Sequence, residues 1–148
     1  MNRLASMILA AAGAALSLPA IAQFAKPEDA IKYRQSAMFM QGYHMSRLGA
    51  MSSGRAPYDA ASATSNAEMV AQISKLPWIG FGAGMEGGKA KPEIWKEQPK
   101  FGELSDKLVS ETGKLLVASK AGNLDALKTA VSAVGETCKS CHDTFRSK

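Results

Sequence analysis

Two cysteines and a histidine near the end of the chain have the spacing of a haem-attachment site. They form the run Cys138-Lys139-Ser140-Cys141-His142. In a Cys-x-x-Cys-His run, each thiol can form a thioether with one vinyl group of haem, and the adjoining imidazole can ligate the iron. The sequence therefore predicts one covalent haem c per chain, bound through Cys138 and Cys141, with His142 as the metal ligand.

The same cysteines could instead form a redox dithiol or half of a zinc site. A dithiol does not need the adjacent histidine. A structural zinc site needs four ligands, and beyond the motif the sequence offers only His44 and carboxylates, with no second Cys-x-x-Cys run. Covalent haem is therefore the favoured interpretation.

The start of the chain has the composition of a secretory signal peptide. Arg3 supplies a positive charge, residues 7–18 are almost wholly apolar, and the sequence AIA at 20–22 is a small-x-small cleavage pattern. An uncleaved anchor is the alternative, but this apolar run is shorter than the ~20 residues that span a bilayer. We therefore expect residues 1–22 to be removed. Residues 23–148 should form one haem-binding domain, soluble in the periplasm.

Composition limits the functions open to the chain. It has 148 residues, 46% of them hydrophobic, and a formal net charge of +5 that is spread along the sequence. Because no basic patch is interleaved with aromatic residues, the sequence does not indicate nucleic-acid binding. The modest positive charge favours solubility and attraction to acidic partners.

Apolar residues recur at helical spacing in four stretches. The predicted helices run from Pro27 to about residue 51, from near Asp59 to Pro77, over about 100–120, and onward from Asn123. On the last helix, the apolar positions alternate in steps of three and four and include both haem cysteines, which places the haem against the interior. With no strand-like alternation, the pattern predicts an all-α fold: an antiparallel four-helix bundle with covalently attached haem.

Residues 78–99 break this pattern with five glycines and two prolines. A loop of this length in a compact domain usually has a function or special packing. Its large apolar residues, Trp78, Phe81, Ile94 and Trp95, could pin the loop to the core or cover the haem edge. The sequence leaves both alternatives open.

Two apolar stripes can be drawn on the first predicted helix. One repeats every seven residues and the other follows steps of three, four and seven. The first comprises Ile31, Met38 and Met45, and the second Tyr33, Ala37, Met40, His44 and Met51. Met38 and Met40 are about 200° apart around a helix, so the stripes face different directions. One stripe can face the core and the other a partner.

Over residues 23–148 the sequence resembles the cytochromes c′, which are periplasmic class II c-type cytochromes. Besides the haem motif and the Phe145-Arg146 that follows it, the matching segments are KPEDA at 26–30, YRQ at 33–35, APYDA at 56–60, LPW at 76–78, FG at 81–82, EGG at 86–88 and PEIW at 92–95. Ordinary small cytochromes c carry the motif near the N-terminus and take a methionine ligand from downstream. Here only six residues follow His142, so any distal group must come from upstream.

The resemblance implies a homodimer of four-helix bundles in which His142 is the proximal ligand of a five-coordinate, high-spin iron. By matching position, Met38 crowds the distal face of the haem, and Arg146 lies near the proximal histidine. Arg34 and Gln35 lie beside the haem and its propionates. They precede Met38 by four and three residues, and therefore share its side of a helix. In this family the distal pocket admits NO and CO but disfavours dioxygen.

Three functions can be distinguished for such a protein. A gas-binding protein needs an iron position that is empty or easily vacated, whereas an electron carrier keeps a sixth ligand, for which Met38 is available. A haem enzyme such as a peroxidase would need a distal histidine or arginine. His44 lies about 240° around the helix from Met38 and should face away from the haem. We therefore expect a non-enzymatic haem protein. The resemblance implies that it binds NO and CO at a sterically crowded distal haem face, and that it forms a homodimer, which we expect to involve the first helix. The alternative is low-spin electron transfer to a redox partner protein.

Overall fold

The computed structural model describes residues 23–148, and the signal peptide predicted at residues 1–22 lies outside the described range. The helical segments are α1 (Pro27–Ser52), α2 (Ala60–Ile73), a 3₁₀ helix (Pro77–Phe81), α3 (Glu93–Lys96), α4 (Gln98–Lys120) and α5 (Leu124–Phe145). Within this described range, no helix is both long and apolar enough to cross a membrane.

Local sequence signals set the starts of the helices. Pro27 lies in the first turn of α1, where a helix does not need its missing N–H. Asp59 caps α2 by accepting a hydrogen bond from the backbone N–H of Ser62 at 2.6 Å. Asn123 caps α5 in the same way, accepting from the backbone N–H groups of the first turn. The predicted starts of these three helices are confirmed.

The four long helices pack in a closed ring, in the order α1, α2, α4, α5 and back to α1. The short connections from α1 to α2 and from α4 to α5 make these neighbours antiparallel. Across the first pair, Nδ1 of His44 lies 2.9 Å from Oδ1 of Asn66. The predicted all-α four-helix bundle is confirmed.

The segment between α2 and α4 is more ordered than a loop. α2 ends at Ile73, ahead of Pro77, because proline has no backbone N–H to donate to the carbonyl of Ile73. The indole Nε1 of Trp78 donates to the carbonyl of Ser74 at 2.6 Å. In a continuing helix that carbonyl would accept from the backbone N–H of Trp78. The 3₁₀ helix and α3 then occupy part of the predicted loop, and both are too short to show a helical repeat in the sequence.

Two hydrophobic clusters stabilise the bundle. The larger takes residues from all four long helices: Leu48, Met51, Ala63, Ala67, Val70, Leu108, Leu115, Leu127 and Val134. The smaller consists of Ile94, Phe101 and Phe145. Trp78 packs against both, whereas Cys138 packs against the larger cluster and Cys141 against the smaller. The two cysteines therefore lie where the clusters meet.

The buried face of α1 matches the predicted stripes only in part. Its buried residues are Ala30, Arg34, Ala37, Gln41, Leu48 and Met51. Ala37 and Met51 of the second stripe lie in the core, while Met40 of the same stripe is exposed. The second stripe mixes buried and exposed positions because it follows apolar residues alone, whereas the polar Arg34 and Gln41 occupy two buried positions of α1. The first stripe faces inward: Ile31, Met38 and Met45 are half-buried, and Met45 packs against the larger cluster.

Candidate haem site

Two adjoining cavities separate α1 from α5. The outer cavity, of about 430 Å³, reaches Arg34, Gln35 and Arg146. The inner cavity, of about 270 Å³, reaches Gln41 and Cys138. Both are lined by Met38, Trp78, Cys141 and His142, so they meet along these four residues. Together they have the size of a cofactor pocket, for which roughly 300–1,000 Å³ is usual.

The haem motif faces this space. Cys138 lines the inner cavity, and Cys141 and His142 line both. The motif lies in the last turns of α5, where residues three and four apart share a face. Both cysteines are half-buried. Two thiols and one imidazole therefore point into one largely apolar cleft.

The thiols do not have the electrostatics of a redox dithiol. Burial raises the pKa of Cys138, and burial followed by the charge of Cys138 raises the pKa of Cys141 to about 11. Redox-active Cys-x-x-Cys sites instead depend on a lowered thiol pKa. For the zinc alternative, residues 23–148 contain no group of three or more His, Cys, Asp and Glu side chains able to hold a metal ion.

His142 is suited to ligate iron at neutral pH. Burial, followed by the positive charge of Arg146, lowers the pKa of His142, while Asp143 acts weakly in the opposite direction. A lowered pKa keeps the imidazole neutral at pH 7, and only a neutral imidazole can ligate a metal. Arg146 lines the outer cavity with its own side chain exposed.

Arg34 is held by the segment that closes the cavity. Its side chain is only 3% exposed, and its guanidinium donates to the carbonyls of Gly80, Met85 (2.6 Å) and Gly87 (2.8 Å). Its Cζ also lies 4.6 Å from the centroid of the Phe81 ring. Burial lowers the pKa of Arg34, although the nearby Glu86 partly offsets this. Arg34 thus lines the cavity, and three of the five N–H donors of its guanidinium form hydrogen bonds with the loop.

Met38 and Gln35 lie on the same wall as Arg34. Met38 is half-buried and lines both cavities, on a different helix from His142. Gln35 is exposed at the outer cavity, close to the backbone of Gly88. All seven residues predicted for the site therefore border one space.

The 78–95 segment both packs on the core and borders the cavity. Trp78, Phe81 and Ile94 line the outer cavity, and the Phe81 and Phe101 ring centroids lie 4.9 Å apart. Trp95 stays outside, where its Nε1 donates to the carbonyl of Gly82 at 2.9 Å. The sequence left open whether these residues hold the loop on the core or lie along the haem site. Trp78, Phe81 and Ile94 do both, because they pack on the core and line the cavity.

The end of the chain closes the other side of this segment. The backbone N–H of Lys91 donates to the carbonyl of Phe145, and that of Ser147 donates to the carbonyl of Lys89, both at 2.9 Å. These bonds form around an antiparallel bridge between Ala90 and Arg146. They hold the loop beside the haem motif. Sequence reasoning missed this contact because it joins segments far apart in the chain.

Sequence reasoning also missed Gln41. This side chain is only 4% exposed and lines the inner cavity. Neither its Nε2 nor its Oε1 has a hydrogen-bond partner among residues 23–148. The only signal in the sequence was its position, three residues after Met38.

The residues present fit haem. The cleft offers two thiols at the thioether spacing, a neutral imidazole directly after them, apolar and aromatic walls, and charged side chains only at its outer end. An unpaired buried amide also indicates that the cavity takes a guest, because buried polar groups are normally hydrogen-bonded.

Comparison with known families agrees with this geometry. A family model described as cytochrome C′ matches residues 29–146. The chain belongs to the cytochrome c′ family. The cofactor of a cytochrome c′ is covalent haem c, and the two cysteines here supply the thiols for its thioether bonds, which confirms the predicted cofactor.

Individual cytochromes c′ match nearly the whole described range. That of Alcaligenes xylosoxydans xylosoxydans is 47% identical over 126 residues, covering 85% of this chain and 99% of the relative. That of Rubrivivax gelatinosus is 43% identical over 129 residues, covering 85% and 100%. A cytochrome c-554 of Cereibacter sphaeroides is 29% identical over 140 residues, covering 90% and 91%.

Solved cytochrome c′ structures share the fold. A nitric oxide complex of a leucine-to-alanine variant from Alcaligenes xylosoxidans is 46% identical, has a TM-score of 0.83, and covers 85% of this chain and 99% of its own. The Rubrivivax gelatinosus cytochrome c′ is 42% identical, has a TM-score of 0.82, and covers 84% and 100%.

Proposed function

We propose that this cytochrome c′ binds NO and CO at a crowded distal haem face, with His142 as the proximal iron ligand and Met38 as the distal cover. The observation that carries this is the position of Met38. It borders both cavities together with His142, but lies on α1 instead of α5. The nitric oxide complex of the Alcaligenes protein supports the same class of ligand.

Each residue of the site has a distinct role in this proposal. Cys138 and Cys141 fix the orientation of the haem, and His142 holds the metal as a neutral imidazole. When bound, the haem supplies an iron that takes up diatomic ligands. Arg146 and Gln35 lie at the outer cavity, where a cation and an amide suit propionate groups.

Arg34 acts through the loop. By donating to three carbonyls between Gly80 and Gly87, it positions Phe81 as a wall of the cavity. Its guanidinium therefore stabilises the shape of the pocket in addition to placing a charge near the haem edge.

The distal cover is flexible. Met38 has an unbranched thioether that can occupy the space over the iron without a fixed shape. Such cover slows the entry of gaseous ligands, yet allows them to displace it.

The alternative is an electron carrier in which the Met38 sulfur is a sixth iron ligand and a redox partner protein receives the electron. A methionine is an ordinary haem ligand, and one relative is named a cytochrome c-554. A spin-state measurement separates these two functions.

We propose no enzymatic activity. A peroxidase needs a distal histidine or arginine for acid–base work. His44 borders neither cavity and pairs with Asn66, and Arg34 is committed to loop carbonyls.

The Met38→Ala variant tests the gas-binding proposal. We expect faster CO and NO association in stopped-flow measurements, because steric cover is removed, and a ferrous spectrum that stays high-spin. The exposed Met69 on α2 gives a matched control, since Met69→Ala should leave association unchanged. If the wild type is low-spin when ferrous and becomes high-spin only on losing Met38, then Met38 is a ligand and electron transfer is the better function.

The covalent link has its own test. Acid acetone should extract haem from a variant in which Cys138 and Cys141 are both alanine, but not from the native protein. Retention of haem by the double variant would overturn the assignment of these thiols.

We also infer export to the periplasm. The basis is the signal peptide predicted at residues 1–22, together with the c-type attachment motif. Protein isolated from a periplasmic fraction should begin at Gln23. A chain that still begins at Met1 would contradict this.

We infer a homodimer formed through α1. Phe39, Met40 and Tyr43 are 75%, 44% and 54% exposed, and they lie within five consecutive residues of α1. Large exposed apolar side chains grouped on one helix favour association with another copy.

A further inference from the structure

Gln41 places a polar side chain in the pocket, and a site that only binds gases between apolar walls would not need one. Gln41 is only 4% exposed, and neither polar atom of its side chain has a hydrogen-bond partner among residues 23–148. A buried amide without partners is destabilising and rare in folded proteins. A leucine or methionine would fill this helix position without that cost.

The walls of the inner cavity do not supply a partner. Thr137, on the facing helix, donates its hydroxyl to the carbonyl of Ala133 at 2.9 Å. The indole N–H of Trp78 already donates to the carbonyl of Ser74. The α1 and α4 walls are otherwise apolar, being Met38, Gly42, Met45, Leu104 and Leu108. Gln41 lines this cavity, and the fixed groups of its walls do not satisfy the buried carboxamide.

The propionates of haem do not fit this end of the cleft. Cationic side chains that suit carboxylates, Lys89 and Arg146, line the outer cavity, and no Lys or Arg lines the inner cavity within the described chain. The rest of the haem is predominantly apolar. The group that meets the Gln41 amide should accordingly be a small polar guest held near Met38 and His142, which border the same inner cavity.

We propose that Gln41 is a hydrogen-bond donor to the diatomic ligand, with its Nε2–H directed at the outer atom of CO or NO. Met38 precedes Gln41 by three residues, so the two side chains lie on one side of α1. Met38 covers the ligand site and Gln41 donates into it. Because a carboxamide carries no charge at any pH, it donates without acting as an acid. This inference rests on the proposed function and adds a specificity-determining residue to the same site.

The test uses the CO complex of the intact, haem-loaded ferrous protein. A donor at the ligand oxygen weakens the C–O bond, so Gln41→Leu should move the C–O stretching band to higher frequency in the infrared spectrum. It should also speed CO dissociation by about two- to tenfold, the worth of one hydrogen bond. Gln41→Ala, which differs from leucine in shape, should shift the band in the same direction. Gln72→Leu, an exposed glutamine on α2, should match the wild type.

Thermal unfolding gives a second readout. Without CO, Gln41→Leu should raise the Tm, because an unpaired amide has left the interior. Saturating CO should raise the Tm of the wild type more than that of the variant.

The outcomes separate this inference from the proposed function. If both Gln41 variants bind CO with the wild-type stretching frequency, Gln41 is not a donor and the inference is overturned, while gas binding stands. If the wild-type ferrous protein does not bind CO at all, the proposed function fails and this inference fails with it.

Discussion

Replacing Arg34 with methionine should destabilise the protein, and most of all residues 80–91, which border the pocket. In the variant, this segment should lose its structure before the rest of the bundle. Methionine keeps an unbranched chain of similar length, so the change removes the guanidinium and little of the packing. Three hydrogen bonds to the carbonyls of Gly80, Met85 and Gly87 are lost, together with the contact over Phe81.

The size of the effect follows from these contacts. A hydrogen bond from a charged donor contributes roughly 1.5–3 kcal/mol, so three at the lower end come to about 4–5 kcal/mol. Relief from burying a cation offsets part of this. We expect a loss of about 3 kcal/mol in the free energy of unfolding, a large share of the roughly 5–15 kcal/mol of a typical domain.

Urea unfolding of the holoprotein, followed by far-UV circular dichroism, measures this loss. Amide hydrogen exchange should show the greatest loss of protection over residues 80–91, because Arg34 donates to three carbonyls of this segment. The exposed Arg55 provides the control, since Arg55→Met should cost under about 0.5 kcal/mol. An Arg34→Met variant as stable as this control, with unchanged exchange over 80–91, would refute the role assigned to Arg34.

Three further predictions concern the 3₁₀ helix, the N-cap of α2 and the exposed face of α1. Gly80→Ala should cost about 1–3 kcal/mol in urea unfolding, because its Cβ would lie 2.9 Å from the carbonyl oxygen of Ala30; an unchanged midpoint would contradict this close packing. The hydrogen bond from the Ser62 N–H lowers the pKa of Asp59, so its charge stabilises the fold above about pH 3.9 and this gain is lost as pH falls through the lowered folded-state pKa. Wild type should therefore be more stable than Asp59→Asn at pH 7, with the difference vanishing in acid, and a pH-independent difference would argue against the charge. Met40→Glu should shift the mass measured by light scattering towards the monomer, because it places a charge in the proposed interface; an unchanged dimer would move that interface elsewhere.

The sequence by itself determined the features that depend on neighbours in the chain. A Cys-x-x-Cys-His run carries its chemistry in five consecutive residues, and it predicted covalent haem without any knowledge of the fold. The starts of α2 and α5 followed from Asp59 and Asn123, because a cap forms hydrogen bonds within three residues. The resemblance to the cytochromes c′ likewise rested on short segments in order along the chain, and the family match confirmed it.

Only the tertiary structure decided which face of α1 is buried. Apolar periodicity could not find a seam that includes Arg34 and Gln41, since a polar side chain can be buried when distant groups accommodate it. For Arg34 those groups are carbonyls 46 to 53 residues away. Gln41 has no such partner among residues 23–148, but it borders a cavity whose walls come from three helices and the 78–95 segment. Hydrogen bonds and cavities join residues that the chain order separates, so they exist only after the helices have packed.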